Sequence, residues 1–373
     1  MTTLDDYLQR FTDEPGYLDF ARRAPVGRTV REEESAMSSL LGRARFGTLD
    51  SFDEQDARVK AAVAAVTGFR ADQVVFQPNT SQGLMHTMFG LTGEVLLSPA
   101  EFPSNTFAVS RAADALGVVK PRWLETDHGR VTPGNLKRQL HKATVAVEVS
   151  LVDYRTGYLA DLEGIRDVIG DRLLIVDAIQ GFGIVDAPYH LADVVVAGGQ
   201  KWVRAGWGTG FLALSDRAAE SLVPVFSGWN ASDAEGTPTE VLPPTRGARA
   251  FAISNPDPVA EARFAAALEE IAEVGVPVIG GRIAENVSRI IDLADEFGIE
   301  VVSSRAEQER AGIVVIAPEA DQLTLLTASL HNHGLTTTSR EGTVRLSPHA
   351  TTDDETFAML RAAFTSFASA VIL

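Results

Sequence analysis

Two apolar segments of the chain each lead to an ionisable residue. Asp177 follows the run Leu-Leu-Ile-Val at 173–176, and Lys201 follows the run Val-Val-Val-Ala-Gly-Gly at 194–199. Short apolar runs without alternation predict strands that are buried on both faces of a parallel sheet. Ligands of such sheets bind at the carboxyl edge, so we expect Asp177 and Lys201 to meet there. Taken singly, a helix-capping acid and a solvated lysine are the alternatives.

A third segment is suited to binding a phosphate group. Asn79, Thr80 and Ser81 stand between the run Val-Val-Phe at 74–76 and a stretch with helical periodicity. A helix start offers free backbone N–H groups and the positive end of the helix dipole, and hydroxyls add donors. Ordinary helix capping by Thr80 or Ser81 is the alternative. The sequence has no Walker A pattern and no complete dinucleotide fingerprint, which disfavours ATP and NAD.

A phosphate site, a lysine and a buried carboxylate together indicate pyridoxal 5′-phosphate as the cofactor. Lys201 would form a Schiff base with the cofactor aldehyde. Asp177 would keep the pyridine nitrogen protonated, so that the ring can withdraw electrons from the substrate Cα. Gln180 would hydrogen-bond the phenolic oxygen. Gly198 and Gly199, beside the lysine, would let the backbone approach a flat ligand.

Composition narrows the possible partners. The chain carries 50 acidic and 33 basic residues and a net charge of −17, which disfavours binding to nucleic acid. It contains no cysteine, which removes disulfides, thiolate metal sites and a cysteine nucleophile, and its histidines show no metal-binding pattern. No apolar run approaches the roughly 20 residues that span a bilayer, and the start of the chain lacks the features of a signal peptide. We therefore expect a cytoplasmic protein without metal or membrane contacts.

The order of apolar runs and helical patterns predicts an α/β fold with a mainly parallel seven-stranded sheet between helices. The predicted strands lie at 74–76, 94–98, 118–124, 144–152, 172–179, 193–199 and 208–215. A region rich in Pro and Gly at 216–255 predicts a long functional loop. We expect residues 51–255 to form a large cofactor-binding domain.

A smaller α+β domain is predicted at 256–373, and residues 1–50 are expected to pack with it. Its predicted helices lie at 257–274, 278–297 and 321–333, and its predicted strands lie at 299–303, 312–317 and in a pair within 335–347. Thr352 and Glu355 have the spacing of a capping box at the start of a last helix.

These motifs resemble the class V aminotransferase family of fold-type I pyridoxal-phosphate enzymes. The resemblance rests on Val-Asp-Ala-Ile-Gln at 176–180, Gly-Gly-Gln-Lys-Trp at 198–202 and the glycine-rich stretch at 206–214. Further segments resemble kynureninase in order along the chain: EFPSN at 101–105, VDYRTGYLADL at 152–162, GW at 228–229, ISNP at 253–256 and VRLSPH at 344–349.

The resemblance implies a role for several side chains near the cofactor. Phe102 would stack on the cofactor ring, Thr80 and Ser81 would contact the phosphate, and Arg345 would bind the substrate α-carboxylate with its planar fork. A core phenylalanine and a surface strand arginine are the structural alternatives.

The resemblance also implies a homodimer. Trp229 and Asn255 match kynureninase positions that reach a phosphate across a dimer interface, although packing within a loop would also explain them.

Three positions depart from the kynureninase pattern. Gln200 stands where a tyrosine precedes the lysine, so the phosphate side loses a hydroxyl. Gln180 stands where kynureninase has histidine, as in many class V aminotransferases and desulfurases, and Leu84 aligns with a histidine used near the substrate. These differences argue against kynurenine itself. Desulfuration through a protein persulfide is excluded because the sequence has no cysteine.

The leading hypothesis is a pyridoxal-phosphate enzyme that acts on an amino acid through its external aldimine, with Lys201 as the general base at Cα. Kynureninase-like hydrolysis or a lyase reaction is the first expectation, and class V transamination is the alternative. β-Elimination and racemisation would use the same residues. A non-catalytic homologue that binds the cofactor is a third hypothesis, and a nucleotide-dependent dehydrogenase is disfavoured by the missing glycine fingerprint.

Overall fold

A computed structural model describes residues 2–43, 45–48, 50–234 and 238–371. The larger sheet contains seven strands: β1 (Val74–Phe76), β2 (Gly93–Leu97), β3 (Val119–Trp123), β4 (Thr144–Ser150), β5 (Leu173–Asp177), β6 (Val194–Gly198) and β7 (Gly210–Leu214). Their spatial order is β1-β7-β6-β5-β4-β2-β3. Only β7 runs antiparallel to its neighbours, so the predicted mainly parallel seven-stranded sheet is confirmed.

Both faces of this sheet are covered by apolar cores. Leu174 and Val176 of β5 pack into one core, whereas Leu173 and Ile175 of the same strand pack into the core on the other face. Successive side chains of a strand point to opposite faces, so a strand with two buried faces must be apolar at every position. This is why the sequence shows continuous apolar runs instead of alternation.

Eight helices accompany this sheet in the described part of the first 234 residues. They are α1 (Leu4–Leu8), α2 (Arg28–Arg43), α3 (Asp50–Thr67), α4 (Thr80–Gly90), α5 (Pro103–Leu116), α6 (Pro133–Gln139), α7 (Leu162–Ile169) and α8 (Asp216–Ser221). The region predicted as one long loop at 216–255 thus contains α8. Ser215 caps α8 by accepting the N–H of Ala218, a local signal that the composition of the region hides.

The C-terminal part of the chain is α+β. Its helices are α9 (Pro258–Val274), α10 (Val276–Glu296), α11 (Leu323–Asn332) and α12 (Asp354–Val371). Its antiparallel sheet has the order β10-β11-β9-β8. The strands are β8 (Glu300–Val301), β9 (Val314–Ala317), β10 (Thr338–Arg340) and β11 (Thr343–Leu346).

The predicted capping box at the start of α12 is wrong. The side chain of Asp353 caps this helix by accepting the N–H of Thr356. The hydroxyl of Thr352 instead accepts the N–H of His349, 2.9 Å away. The capping acceptor therefore lies one residue later than the sequence pattern indicated.

The N-terminal segment contacts both parts of the chain. Leu18 donates its N–H to the carbonyl of Thr336 and accepts the N–H of Ser347, so this segment runs beside the small sheet. Helices α2 and α3 pack on α9. The proposed division at residues 50 and 255 stays a prediction. Within the described ranges, no helix is long and apolar enough to cross a membrane.

Candidate active site

One cavity of about 260 Å³ lies at the carboxyl edge of the large sheet. Asp177 is the last residue of β5, and Lys201 follows the end of β6 at Gly198, so both reach this edge. Eight of the predicted site residues line the cavity: Thr80, Ser81, Phe102, Asp177, Gln180, Gln200, Lys201 and Arg345. Trp229 and Asn255 do not.

Asp177 is held in place by two hydrogen bonds. Its Oδ1 accepts the backbone N–H of Ile179 at 3.0 Å, and its Oδ2 accepts the side-chain N–H of Asn105 at 3.1 Å. Burial raises the pKa of the Asp177 carboxyl, and these two donors and the nearby Lys201 amine oppose the rise. A cationic ring nitrogen facing Asp177 would oppose it further. The arrangement therefore suits a partner that carries a proton.

Lys201 has an amine of unusually low basicity. Burial lowers its pKa to about 8, the positive charge of Arg345 adds to this effect, and the Asp177 carboxylate opposes it. A larger fraction of the amine is therefore neutral near pH 7 than for an ordinary lysine, and only the neutral amine can attack an aldehyde. The Nζ atom lies 5.6 Å from the centre of the Phe102 ring.

Phe102 presents its ring to the cavity from the start of α5. It stands immediately before Pro103, which occupies the first helical position and fixes the backbone there. The ring contacts Tyr154 edge to face, with centroids 5.1 Å apart and planes at 90°. This contact fixes the orientation of the Phe102 ring, as stacking on a flat cofactor requires.

The start of α4 has the properties of an anion site. Asn79 caps the helix by accepting the N–H of Gln82. The hydroxyl of Thr80 is buried and has no partner in the described part of the chain, and the Ser81 hydroxyl contacts that of Ser104 at 2.7 Å. A buried hydroxyl without a partner is uncommon, so a phosphate group accepting from Thr80 would complete the site.

Gly198 leaves room for the side chain of Gln200 beside this site. A Cβ atom at Gly198 would lie 2.4 Å from Oε1 of Gln200 and 3.2 Å from the Thr80 hydroxyl. The missing Cβ thus makes room for the Gln200 side chain, whereas the predicted approach of the backbone to a flat ligand stays a prediction. Gln200 and Thr80 both line the cavity.

The amide of Gln180 is held by two residues. Its Oε1 accepts the indole N–H of Trp202 at 3.0 Å, and its Nε2 donates to the carbonyl of Ala21 at 2.9 Å. Because the indole can only donate, the orientation of the amide is fixed. One N–H of Nε2 remains for another acceptor, which is compatible with the predicted bond to a phenolic oxygen.

Arg345 is buried, with 4% of its surface exposed, and is not a surface strand arginine. One terminal nitrogen donates to the carbonyl of Tyr154 at 3.0 Å, and the other donates to Asp19 at 3.3 Å. Its Nε has no partner in the described residues. The guanidinium is thus fixed at the wall of the cavity with hydrogen-bonding capacity left over.

Trp229 and Asn255 lie elsewhere, so one chain alone does not bring them to the predicted phosphate. Trp229 is 49% exposed, and Asn255 lines a second cavity of about 840 Å³. Pro78 and Gly208 line this larger cavity, whereas the adjacent residues 79 and 207 line the smaller one. The two cavities therefore adjoin the same two segments.

Several residues at the site were not predicted. Ser104 and Asn105 lie within EFPSN, and Tyr154 lies within VDYRTG, so the motifs contained them without revealing their contacts. Arg22 and Arg340 also line the cavity. No local pattern marked these two arginines, because only the packing of distant segments brings them to the rim.

Two further carboxyl groups lie near Asp177. Glu101 accepts from the N–H and the hydroxyl of Ser150, which pairs with Asp177 across β4 and β5. Burial raises the pKa of Glu101 to about 7. Glu148 is fully buried, and neither of its oxygens has a partner in the described residues. Burial, followed by repulsion from Glu101, raises the pKa of Glu148 well above its ordinary value.

Residues 25–369 match the sequence profile of the family described as aminotransferase class-V. The chain belongs to this family. It is 25% identical over 336 residues to the uncharacterized aminotransferase YcbU of Bacillus subtilis (strain 168), an alignment that covers 85% of this chain and 87% of YcbU. It is 26% identical over 225 residues to a probable cysteine desulfurase of Methanothermobacter thermautotrophicus, covering 57% of this chain and 56% of that protein.

Solved structures of this family share the fold. The apo cysteine desulfurase from Thermococcus onnurineus NA1 superposes with a TM-score of 0.84 at 19% identity, covering 100% of this chain and 98% of the other. The cystine C-S lyase C-DES, in complex with its product cysteine persulfide, gives a TM-score of 0.84 at 19% identity and covers 94% of this chain and 97% of the other. At such identities the likeness shows the fold alone.

This member of the class V aminotransferase family is therefore a pyridoxal-phosphate-dependent enzyme. The predictions of the fold, the cofactor and enzymatic activity are confirmed. None of the four similar proteins described above is named a kynureninase, so the finer resemblance to that enzyme remains a prediction.

Proposed function

We propose that this enzyme cleaves the side chain of an α-amino acid, as a kynureninase-like hydrolase or lyase. The main support is that Lys201, Asp177 and Arg345 border one cavity, which offers a base, an anchor for a protonated ring and an anchor for a carboxylate. The ordered EFPSN, VDYRTG and VRLSPH motifs favour side-chain cleavage. The similar C-S lyase, although alike only in fold, is also a cleaving enzyme by its name.

Each residue of the cavity has a separate role in this proposal. Bound pyridoxal phosphate supplies an electron sink for charge that develops at the substrate Cα. Lys201 would hold the cofactor aldehyde, and its free amine would accept the proton from the substrate Cα. Asp177 would favour the protonated form of the ring nitrogen. Arg345 orients the substrate through its α-carboxylate, so that the Cα proton faces the lysine.

Four other side chains hold the cofactor in this proposal. Thr80 and Ser81 donate to the phosphate together with the free N–H groups at the start of α4. Phe102 covers the ring, and Gln180 donates its remaining N–H to the phenolic oxygen. Gln200 lies at the phosphate end, next to Gly198.

The reaction does not proceed through a protein persulfide. Two of the similar proteins are named cysteine desulfurases, and sulfur transfer onto a protein thiol requires a cysteine. This sequence contains none. Sulfur cleaved from a substrate would therefore not be carried on a cysteine of this chain.

Transamination is the second candidate. It is supported by glutamine at position 180, the pattern common among class V aminotransferases, and by the name of the relative YcbU. The two reactions would differ in where Lys201 delivers the proton that it takes from the substrate Cα. The same anchoring residues serve both reactions.

Analysis of products by mass spectrometry tests the proposal. Cofactor-loaded enzyme is incubated with a panel of amino acids, with Lys201→Ala protein as the matched control. Release of alanine or pyruvate over many turnovers supports cleavage. One equivalent of keto acid together with pyridoxamine phosphate supports transamination. If no amino acid yields either product, the proposal is wrong.

A further inference from the structure

The cavity beside Lys201 is lined by more cationic side chains than a neutral amino acid would need. Arg22, Arg340 and Arg345 line it together with the lysine. Among the described residues, Asp177 supplies the one carboxylate in the lining, and its proposed partner is the cofactor ring. One arginine suffices for the α-carboxylate of the substrate. Asp19, behind the lining, pairs with Arg345 and lies 4.0 Å from Arg22, which leaves Arg340 without a carboxylate partner among the described residues.

The register of the small sheet brings two of these arginines together. Thr338 of β10 lies directly opposite Arg345 of β11. Arg340 lies two positions after Thr338, and alternate residues of a strand share a face. Arg340 and Arg345 therefore project from the same face, at diagonal positions that are typically about 7–8 Å apart. One small dianion can contact both guanidinium groups.

The two arginines differ in how their charge is satisfied. Arg345 donates to the carbonyl of Tyr154 and to the carboxylate of Asp19. The guanidinium of Arg340 has neither a carboxylate nor a hydrogen-bond acceptor among the described residues. Its Cζ lies 5.6 Å from the centre of the Tyr154 ring, and such a contact holds the plane of a guanidinium without using its N–H groups.

The remaining arginines near the rim are less suited to a ligand. Arg22 lies 4.0 Å from the carboxylate of Asp19, and its side chain, like that of Arg340, is exposed. Arg155 also lies over the Tyr154 ring, at 5.7 Å, but it donates to Asp153. Among the described arginines at the cavity, Arg340 is thus the one whose guanidinium is oriented by an aromatic ring and has no hydrogen-bond acceptor.

We propose that Arg340 binds an anionic group on the substrate side chain. The preferred substrates are then amino acids with a carboxylate, or a group of equal charge, beyond Cβ. The α-carboxylate would contact Arg345, and the distal anion would contact Arg340 on the same sheet face. This inference rests on the proposed function, because it requires an α-amino acid in the cavity.

Matched pairs of acids and amides test this inference on the cofactor-loaded enzyme. Equilibrium binding is measured by calorimetry for succinate against succinamate, and kcat/KM is measured for aspartate against asparagine and for glutamate against glutamine. Wild-type enzyme is expected to favour the acid of each pair at least tenfold. Arg340→Gln should reduce this preference roughly 10- to 100-fold, as expected for a lost charge-assisted hydrogen bond. Arg111→Gln, an exposed change on α5, is the control.

Two results would overturn the inference. Equal affinities of the wild-type enzyme for acid and amide would show that no distal anion is recognised. Weaker retention of pyridoxal phosphate by Arg340→Gln, with an unchanged acid preference, would assign Arg340 to the cofactor phosphate instead. Failure of the proposed function looks different. If no α-amino acid reacts, neutral and acidic amino acids alike leave the absorbance of the bound cofactor unchanged, and if transamination replaces cleavage, keto acid and pyridoxamine phosphate are formed while the preference for acids remains.

Discussion

Asn105 donates its side-chain N–H to Oδ2 of Asp177, and both side chains are buried. The bond joins the first turn of α5 to the end of β5. A buried carboxylate keeps its charge only where donors compensate for lost water, and the N–H of Ile179 is the one other donor to Asp177 among the described residues. Asn105 therefore positions the carboxylate and helps to keep it ionised.

Replacing Asn105 with leucine should weaken cofactor binding and catalysis. Without the side-chain donor, the pKa of Asp177 rises further, and its carboxylate holds the proton on the ring nitrogen less well. A hydrogen bond to a charged group contributes about 1.5–3 kcal/mol, which corresponds to roughly 10- to 100-fold. The loss is measured as the dissociation constant of pyridoxal phosphate and as kcat.

The neighbouring Thr106→Ala change is the control for Asn105→Leu. The Thr106 hydroxyl makes only a long bond, 3.4 Å, to the carbonyl of Pro103 on the same helix. Equal behaviour of both variants would mean that the Asn105 bond does not support the carboxylate.

The low pKa of Lys201 predicts the pH dependence of cofactor loading. Imine formation needs the neutral amine, so the rate at which cofactor-free protein reacts with pyridoxal phosphate should rise with a midpoint at pH about 8. An ordinary lysine would give a midpoint near about 10.4. Stopped-flow absorbance at a series of pH values measures this midpoint.

Asp177→Asn is the matched variant for this experiment. The Asp177 carboxylate raises the pKa of Lys201 against the effect of burial, so removal of its charge should move the midpoint below that of the wild-type protein. A midpoint that stays in place, or moves upward, would contradict the electrostatic coupling of the two residues.

The buried Glu101 predicts a pH-dependent term in folding stability. Its pKa is raised from 4.5 to about 7 in the folded protein. Between these values the folded state keeps a proton that the unfolded state has released, so the free energy of unfolding falls as pH rises through this window. The full loss attributable to this group is about 3 kcal/mol at 1.36 kcal/mol per pKa unit.

Glu101→Gln isolates this term because it removes the titration and retains an oxygen acceptor for Ser150. Chemical unfolding at pH 5, 6 and 7 should give this variant a flatter dependence than the wild-type protein. Glu163→Gln, a change at an exposed position of α7, should retain the wild-type slope. Parallel curves for all three proteins would show that Glu101 is ionised throughout.

The strands of the large sheet could be predicted because their burial leaves a local signature. β5 and β6 are buried at every position, and the chain shows this as continuous apolar runs. Their lateral order and the antiparallel direction of β7 could not be predicted. β7 is also buried at every position, so its residues resemble those of a parallel strand.

The site was predictable as far as it follows from strand ends and helix starts. Asp177, Lys201 and Thr80 were identified because ligands bind at the carboxyl edge of a parallel sheet and because the first turn of a helix offers free N–H groups to anions. Asn105 and Arg340 could not be assigned, since their roles depend on partners distant in sequence: Asp177 for one and Tyr154 for the other.

The positions of Trp229 and Asn255 predict that the phosphate site is completed by a second copy of the chain. Within one chain Asn255 lines the larger cavity, which is separate from the cavity that contains Lys201. In a symmetric dimer each copy would offer these residues to the other. Light scattering should therefore show a dimer, and Asn255→Ala should bind pyridoxal phosphate more weakly than wild-type protein.

Mixed dimers show whether Asn255 contributes to the site of its own chain or to the site of the partner. Lys201→Ala and Asn255→Ala proteins, each defective alone, are coexpressed. A mixed dimer then has one site with an intact lysine and an intact asparagine, so about a quarter of the wild-type sites should be restored. The control combines wild-type chains with chains that carry both substitutions. If Asn255 acts across the interface, its mixed dimers contain no complete site and about a quarter of the sites remain, all in wild-type homodimers, whereas a contribution within one chain would leave about half. The Lys201 site of an Asn255→Ala chain is complete only if the partner supplies the asparagine, so recovered activity requires a contact between subunits. A monomeric protein, or no recovered activity, would contradict the proposed contribution of the partner.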